Sequence, residues 1–218
     1  YLMPEVFDRY FGLLDRQPGE YYDIERLSPG YRLLFYDDQV DMPAELEEIY
    51  ALFDTLEDNG AEKLKRYLAD AKYKYDVSLD MFLYKTYNSI WDMFSWKLFT
   101  DGAKMNVFSS MESHVDSYFE SDKAKKILQY TLVFLGGAPH NTPAVYSLMS
   151  HVDMHQGVYY PKGGFSAVVS ALEQVCTELG VTIRYDTPAK SIRVAGNIAT
   201  GVEIEGSVVS AQNVVVNA

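Results

Sequence analysis

The sequence changes character once along its 218 residues, and the change is in its aromatic side chains. Of 18 Tyr, 11 Phe and 2 Trp, all but Phe165 and Tyr185 lie within residues 1–160. Beyond that point the apolar residues are mostly Val, Ile, Leu and Ala. A chain built this way divides near Gly157–Pro161 into an aromatic-rich helical region and a β-rich region. The expected fold class is α+β. Residues 1–156 form a mostly helical domain with a small antiparallel sheet, and residues 157–218 form a partial α/β segment of helix, strand, hairpin and strand.

Charge is also unevenly placed. The net charge is −12, and residues 1–60 carry 15 acids against 4 bases. An acidic chain argues against nucleic acid as a partner. With 48% hydrophobic and 23% charged residues, a packed core is expected rather than disorder. The single Cys176 excludes an internal disulfide framework and fits a reducing compartment. No apolar run reaches the roughly 18 residues of a membrane span, so the expected location is cytoplasmic, with membrane association at the cytoplasmic face as an option. The chain starts at Tyr1 and closes on an apolar run, Val214–Val216, that reads as a buried parallel strand. Natural domains seldom stop inside such a strand, so an excised segment of a longer protein is expected.

Local patterns place the elements. Pro4, Val6, Phe7, Tyr10, Phe11 and Leu14 follow helical spacing with Pro in the first turn. Residues 21–42 read as short strands, with turns at Ser28-Pro29-Gly30 and Asp37-Asp38. Pro43 begins a helix bearing Leu46, Ile49, Tyr50, Phe53 and Leu56, which Asn59-Gly60 stops. The next helix puts Leu64, Leu68, Ala71 and Tyr75 on one face, while Lys63, Lys65, Arg66, Lys72 and Lys74 read as a solvated basic surface. Residues 110–119 and 122–135 read as helices, with Ser121 an N-cap. Ile127–Leu135 is apolar nearly all round, which implies burial on every side. After Gly163-Gly164 comes a helix carrying Val168, Leu172, Val175 and Leu179, then a strand at Val181–Arg184 and a hairpin turning at Gly196-Asn197.

Four segments carry chemical interest. Gly136–Ala144 (GGAPHNTPA) is a corner with two glycines, with Thr142-Pro143 as N-cap and first residue of a further helix; it reads either as a plain helix–helix corner or as the lining of a cavity. Tyr160-Pro161-Lys162-Gly163-Gly164 sets a cation and two permissive glycines at a helix N-terminus, an arrangement able to receive phosphate. It lacks the GxGxxG spacing that would specify a dinucleotide. His151 and His155 are spaced i, i+4, but without the Glu of HExxH they do not define a metal site, and no metal is expected. Ser89–Phe99 packs both tryptophans into eleven residues, as a core helix, an interfacial helix or the wall of an apolar cavity would. Cys176 sits in mid-helix and reads as a small apolar residue.

Taken in order, Gly136–Met149, Gly157–Gly164, Leu2–Phe7 and Asn213–Ala218 resemble the bacterial phytoene and diapophytoene desaturases, across essentially the whole chain. The resemblance implies an FAD-dependent carotenoid desaturase of the amine oxidase-like superfamily. Such an enzyme dehydrogenates a long polyisoprenoid by hydride transfer to flavin. It further implies that residues 1–156 are the substrate-binding domain and residues 157–218 part of the FAD-binding domain. On that basis Lys162, Gly163, Gly164, Ala189, Asn217 and Ala218 are candidate cofactor-binding residues. Ala189 stands where related flavoproteins carry Val, at the start of Ala189-Lys190-Ser191-Ile192. Phe134, Gly137, Tyr146 and Met149 are candidate substrate-binding residues; no catalytic residue transfers. The implied substrate is an apolar polyisoprenoid, with peripheral membrane contact through Ser89–Phe99. The isolated chain is expected to be inactive and to bind no FAD, because the GxGxxG unit and the second flavin motif of the family lie outside it. Alternatives are a related flavoenzyme on another apolar substrate, of the retinoid saturase or carotenoid isomerase kind, or a non-catalytic helical membrane or binding module.

Overall fold

The computed structural model describes residues 1–84, 86, 88–89 and 105–217. The chain separates into two compact units, Tyr1–Val168 and Val169–Ala218. The architecture is α+β, with helices accompanied by small antiparallel sheets.

In the first unit, helix α1 (Pro4–Gly12) starts with Pro in its first turn, where a missing N–H costs nothing. Strands β1 (Ile24–Arg26), β2 (Tyr31–Leu34) and β3 (Gln39–Met42) follow. β2 and β3 pair as a hairpin, Tyr31 opposite Met42 and Leu34 opposite Gln39, turned through Asp37-Asp38. β1 instead pairs with β4 (Tyr159–Pro161), Ile24 opposite Pro161, so the far end of the unit returns to its beginning.

Helices α2 (Leu46–Leu56) and α3 (Gly60–Ser78) form a tight corner. Gly60 opens α3 and does not end α2 as its position after Asn59 suggested. A Cβ on Gly60 would sit 2.0 Å from the Phe53 carbonyl oxygen, so the corner closes only around a glycine. Helix α4 (Met111–Asp116) is capped by Ser110, whose Oγ accepts from the Ser113 N–H at 3.1 Å. Helix α5 (Asp122–Gln129) is capped by Ser121.

From Tyr130 to Leu135 the chain tightens into a 3-10 helix that ends at Gly136, which has φ 64°. Tightening changes the residues per turn and swings the apolar face outward. Val133, Phe134 and Leu135 are therefore exposed, contrary to the all-round burial their composition implied. A helical segment over 144–156 follows, passing from 3-10 to a short α turn and then to π geometry at His151–Gln156. The core beneath these elements is aromatic: Tyr67 and Phe53 both meet Phe119 edge-on, with ring centroids 6.1 and 5.6 Å apart.

Helix α6 (Phe165–Glu178) buries Val168, Ala171 and Val175, while Leu179 lies beyond its end and is exposed. The second unit is completed by a three-stranded antiparallel sheet, β5 (Ser191–Ala195), β6 (Ile198–Ile204) and β7 (Ser207–Ser210). Gly196 and Asn197 have φ 55° and 66° and make the hairpin turn that Gly-Asn announces. Gly201 faces β7 so closely that a Cβ would meet the Val209 carbonyl oxygen at 2.4 Å. Two expected strands are absent among the described residues. Val181–Arg184 and 213–217 form no ladder, and Val215 and Val216 are exposed. An apolar run becomes a buried strand only where a neighbour supplies its hydrogen bonds.

Candidate functional site

Helix α3 carries its apolar stripe, Leu64, Leu68, Ala71 and Tyr75, into the core of the first unit. At the C-terminal end of the helix, Tyr75, Ser78 and Leu79 form one wall of a cavity of about 590 Å³. Met3 and Leu83 contribute to the lining, and Val145, Tyr146 and Leu148 of the 144–156 segment face them. Apart from the Tyr75, Tyr146 and Ser78 hydroxyls, the lining side chains are apolar. That composition binds hydrocarbon through removal of surface from water, at about 25 cal/mol per Å². The volume lies within the roughly 300–1,000 Å³ of small-molecule sites.

Met3 reaches the cavity from a left-handed backbone, φ 54° and ψ 58°, immediately before Pro4. A non-glycine residue holds that conformation only when its surroundings fix it. Tyr1 helps to fix this one: its carbonyl accepts from the Tyr159 N–H at 3.0 Å.

Three polar clusters surround the cavity and core. In the first, the Tyr75 hydroxyl donates to the Glu5 carboxylate. Gln156 Nε2 donates both to Glu5 Oε1, at 3.1 Å, and to the Tyr75 hydroxyl, at 3.0 Å. Burial, reinforced by Glu5, pushes the Tyr75 phenol up to about 12, so it remains a donor at neutral pH. The His151 ring lies 5.1 Å from the Tyr75 ring and stacks on His155 at 4.8 Å. Burial, then the neighbouring His155, pushes His151 down to about 4, which leaves it neutral. Among the described residues no His, Cys, Asp and Glu side chains group to hold a metal.

The second cluster is centred on Lys74, which is fully buried and does not belong to a solvated basic face. Its Nζ lies 2.6 Å from Asp70 Oδ2 and 3.0 Å from both Ser147 Oγ and His114 Nε2. Burial lowers the Lys74 pKa, opposed by Asp70. Burial also pushes Asp70 up, but His114 and Lys74 together hold it below the usual carboxylate range. Spacing carried this signal: Tyr67, Ala71 and Lys74 fall at i, i+4 and i+7, on the buried stripe.

In the third cluster, the Tyr31 hydroxyl donates to Asp153 Oδ2 at 2.6 Å, while Asp153 Oδ1 is buried without a hydrogen-bond partner. Burial pushes Asp153 up to about 6 against the opposing effect of that bond. Tyr31 leans on Tyr130 at 4.4 Å, and Tyr130 meets Phe134 at 5.8 Å. Sequence reading missed Glu5, Asp153 and Gln156, because a lone carboxylate or amide carries no periodic signal.

Among the expected substrate-contacting residues, Tyr146 lines the cavity; Phe134, Gly137 and Met149 are not part of its lining. Phe134 is exposed and Met149 half-buried. Gly137 packs against Thr142, whose Oγ1 would lie 2.3 Å from an added Cβ. Thr142 is buried, and its hydroxyl donates to the Ala138 carbonyl at 2.9 Å, so it closes the Gly136–Ala144 corner and does not cap the next helix.

Lys162, Gly163 and Gly164 form a turn into α6, the first two exposed and Gly164 half-buried, with both glycines in the left-handed half of backbone space at φ 85° and 84°. Lys162 Nζ is 3.8 Å from Asp23. In the second unit, Ala189 precedes β5 and Asn217 follows β7, both exposed. Ala218 and residues 90–99 of the Ser89–Phe99 segment lie outside the described residues.

The family of flavin containing amine oxidoreductases matches residues 2–218. The chain belongs to that family. It is 39% identical over 222 residues to a carotenoid 3,4-desaturase of Haloarcula japonica, covering all of this chain and 44% of that protein. It is 30% identical to a zeta-carotene-forming phytoene desaturase of Myxococcus xanthus, covering all of this chain and 42% of the relative. A 4,4'-diapophytoene desaturase of Staphylococcus aureus is 25% identical over 88% of this chain and 38% of its own length. The chain thus spans less than half the length of these curated relatives.

Membership makes flavin the family's redox group, and the Lys162–Gly164 turn is chemically suited to part of it. The Ala167 N–H donates to the Gly164 carbonyl at 3.1 Å and the Gly164 N–H to the Pro161 carbonyl at 2.9 Å, while the glycines present no side chain and the helix dipole favours an anion there. No helix among the described residues is long and apolar enough to cross a membrane.

Proposed function

We propose that this chain is the substrate-binding portion, with part of the FAD-binding portion, of a flavin-dependent carotenoid desaturase acting on a long polyisoprenoid of the phytoene or diapophytoene type. The observation that carries the reading is the apolar cavity of about 590 Å³ bounded by Met3, Leu79, Leu83 and Leu148, in a chain whose relatives are carotenoid desaturases. A hydrocarbon substrate offers no polar handle, so its binding energy has to come from apolar burial, which this lining provides. Bound FAD would accept a hydride from one carbon of the substrate while the neighbouring carbon loses a proton, leaving a new double bond.

In this chain, Lys162, Gly163 and Gly164 are assigned to an anionic part of FAD. Ala189, Asn217 and Ala218 are assigned to the same cofactor through backbone contacts. Tyr146 is assigned to the substrate; Phe134, Gly137 and Met149, outside the cavity lining, are not assigned to it.

The test uses the full-length protein that contains this sequence, assayed on thirty-carbon and forty-carbon polyisoprenes with product spectra. Stepwise lengthening of the conjugated chromophore is expected. Turnover of a retinoid or isomerisation without dehydrogenation would overturn the desaturase reading. For the 218-residue chain alone, the expectation is no stoichiometric flavin absorbance after purification.

Peripheral membrane contact through Ser89–Phe99 belongs to the same proposal, since Trp91 and Trp96 suit an interfacial position and the substrate dissolves in lipid. Liposome flotation that survives Trp91→Ser with Trp96→Ser would count against it.

A further inference from the structure

We infer that Glu5 is a positioning residue that sets the length of apolar chain the cavity accepts, by locking the Tyr75 ring in the cavity wall. The inference rests on the reading of the cavity as the apolar-ligand site. Tyr75 is buried and lines the cavity, and its ring is held at the hydroxyl end and flanked by a second ring. At the hydroxyl, Glu5 of α1 accepts its proton and Gln156 of the 144–156 segment donates to its oxygen. Beside the ring lies His151, with centroids 5.1 Å apart and the planes tilted by 47°. One partner would satisfy a buried phenol, so convergence of three side chains from two other elements on one ring is more than burial requires.

The tether and the lining share one turn of chain. Two residues before Glu5, Met3 lines the same cavity from its left-handed backbone. The Tyr1 carbonyl anchors that turn to Tyr159. A ring held by α1 therefore keeps the wall and the Met3 side chain in register, and preorganised walls discriminate ligands by size rather than adapting to them. Without the carboxylate, the ring can turn about its side-chain torsions and open space that a longer chain fills.

The experiment uses the full-length protein that contains this sequence, with the neutral polyene 1,6-diphenyl-1,3,5-hexatriene as fluorescent probe, displaced by linear isoprenoid hydrocarbons of increasing length. The wild-type protein is expected to show a preferred length. Glu5→Ala and Tyr75→Phe, the second keeping the ring and its packing, are expected to move the ratio of long-chain to short-chain affinity by about five-fold, the effect of one lost hydrogen bond. Glu5→Gln retains an acceptor and is expected to restore the wild-type profile. An equal loss at every length, or no change in the ratio for either variant, overturns the positioning role. Ser78→Trp, which fills the cavity, separates the two readings. If it abolishes probe binding while Glu5→Ala leaves the length profile intact, only the positioning role falls. If it leaves probe binding unchanged, the cavity is not the ligand site and both readings fall.

Discussion

Lys74 Nζ lies 3.0 Å from Ser147 Oγ with no part of the lysine open to solvent, and this contact joins α3 to the helical segment that forms the opposite cavity wall. The ammonium is tolerated there because Asp70, four residues earlier, supplies the countercharge at 2.6 Å. Lys74→Met keeps the stem but takes the ammonium from Ser147 and leaves Asp70 with His114 alone, 3.1 Å away. Unfolding in urea is expected to show a loss of about 3 kcal/mol, and Lys74→Met combined with Asp70→Leu to recover most of it. A double variant as unstable as the single one would show that the ion pair is not what makes the lysine necessary.

The Glu57 carboxylate accepts from the Ser121 and Glu120 N–H groups at 2.7 and 3.0 Å and pairs with Lys63, at the N-terminus of α5. Burial pushes it up, but Lys63 and these N–H bonds outweigh burial and hold it below its ordinary value. A depressed folded-state pKa contributes stability that is complete above the unfolded pKa near 4.3 and is lost as pH falls through the folded value. Glu57→Gln is expected to cost about 2 kcal/mol at pH 7, with the difference from wild type closing as the pH drops below about 4. A gap that persists under acid conditions would contradict the assignment.

Asp153 has the opposite sign. Its carboxyl is pushed up to about 6 by burial, so folding favours the protonated form. The group therefore destabilises progressively as pH rises from about 4 through about 6, and by a constant amount above that range. Asp153→Asn keeps an acceptor for Tyr31 and removes the charge. It is expected to raise stability by about 2–3 kcal/mol at pH 8 and by little at pH 4. A benefit independent of pH would rule out titration as its origin.

Two glycines give a matched pair for the backbone. Gly60→Ala forces a Cβ to within 2.0 Å of the Phe53 carbonyl oxygen, whereas a Cβ on Gly12 meets nothing within 4 Å. Thermal unfolding should show Gly60→Ala destabilised by about 3 kcal/mol or more, with the α2–α3 corner displaced. Gly12→Ala, at the end of α1, should be neutral or stabilising by about 0.5 kcal/mol. Equal effects at both positions would mean that contact at the corner is not the constraint.

The helices and hairpins were legible because their signals are local. Ser110 and Ser121 cap the helices they precede, Gly196-Asn197 turns its hairpin, and the stripe Leu64, Leu68, Ala71 and Tyr75 is buried as its spacing implies. The family was legible for the same reason, as short blocks in a fixed order. Two errors had one cause: Lys74 was assigned to solvent and Val133–Leu135 to the core by residue type, when helix rotation and the 3-10 tightening set their exposure.

The sequence alone determined where the chain changes from aromatic-rich to Val-rich composition and which turns need glycine. The tertiary structure decided which polar groups meet. Glu5 and Gln156 are 151 residues apart and Tyr31 and Asp153 are separated by 122, so no local pattern links them. A buried carboxylate finds its partner only when packing removes water from both, and that happens after the elements have come together.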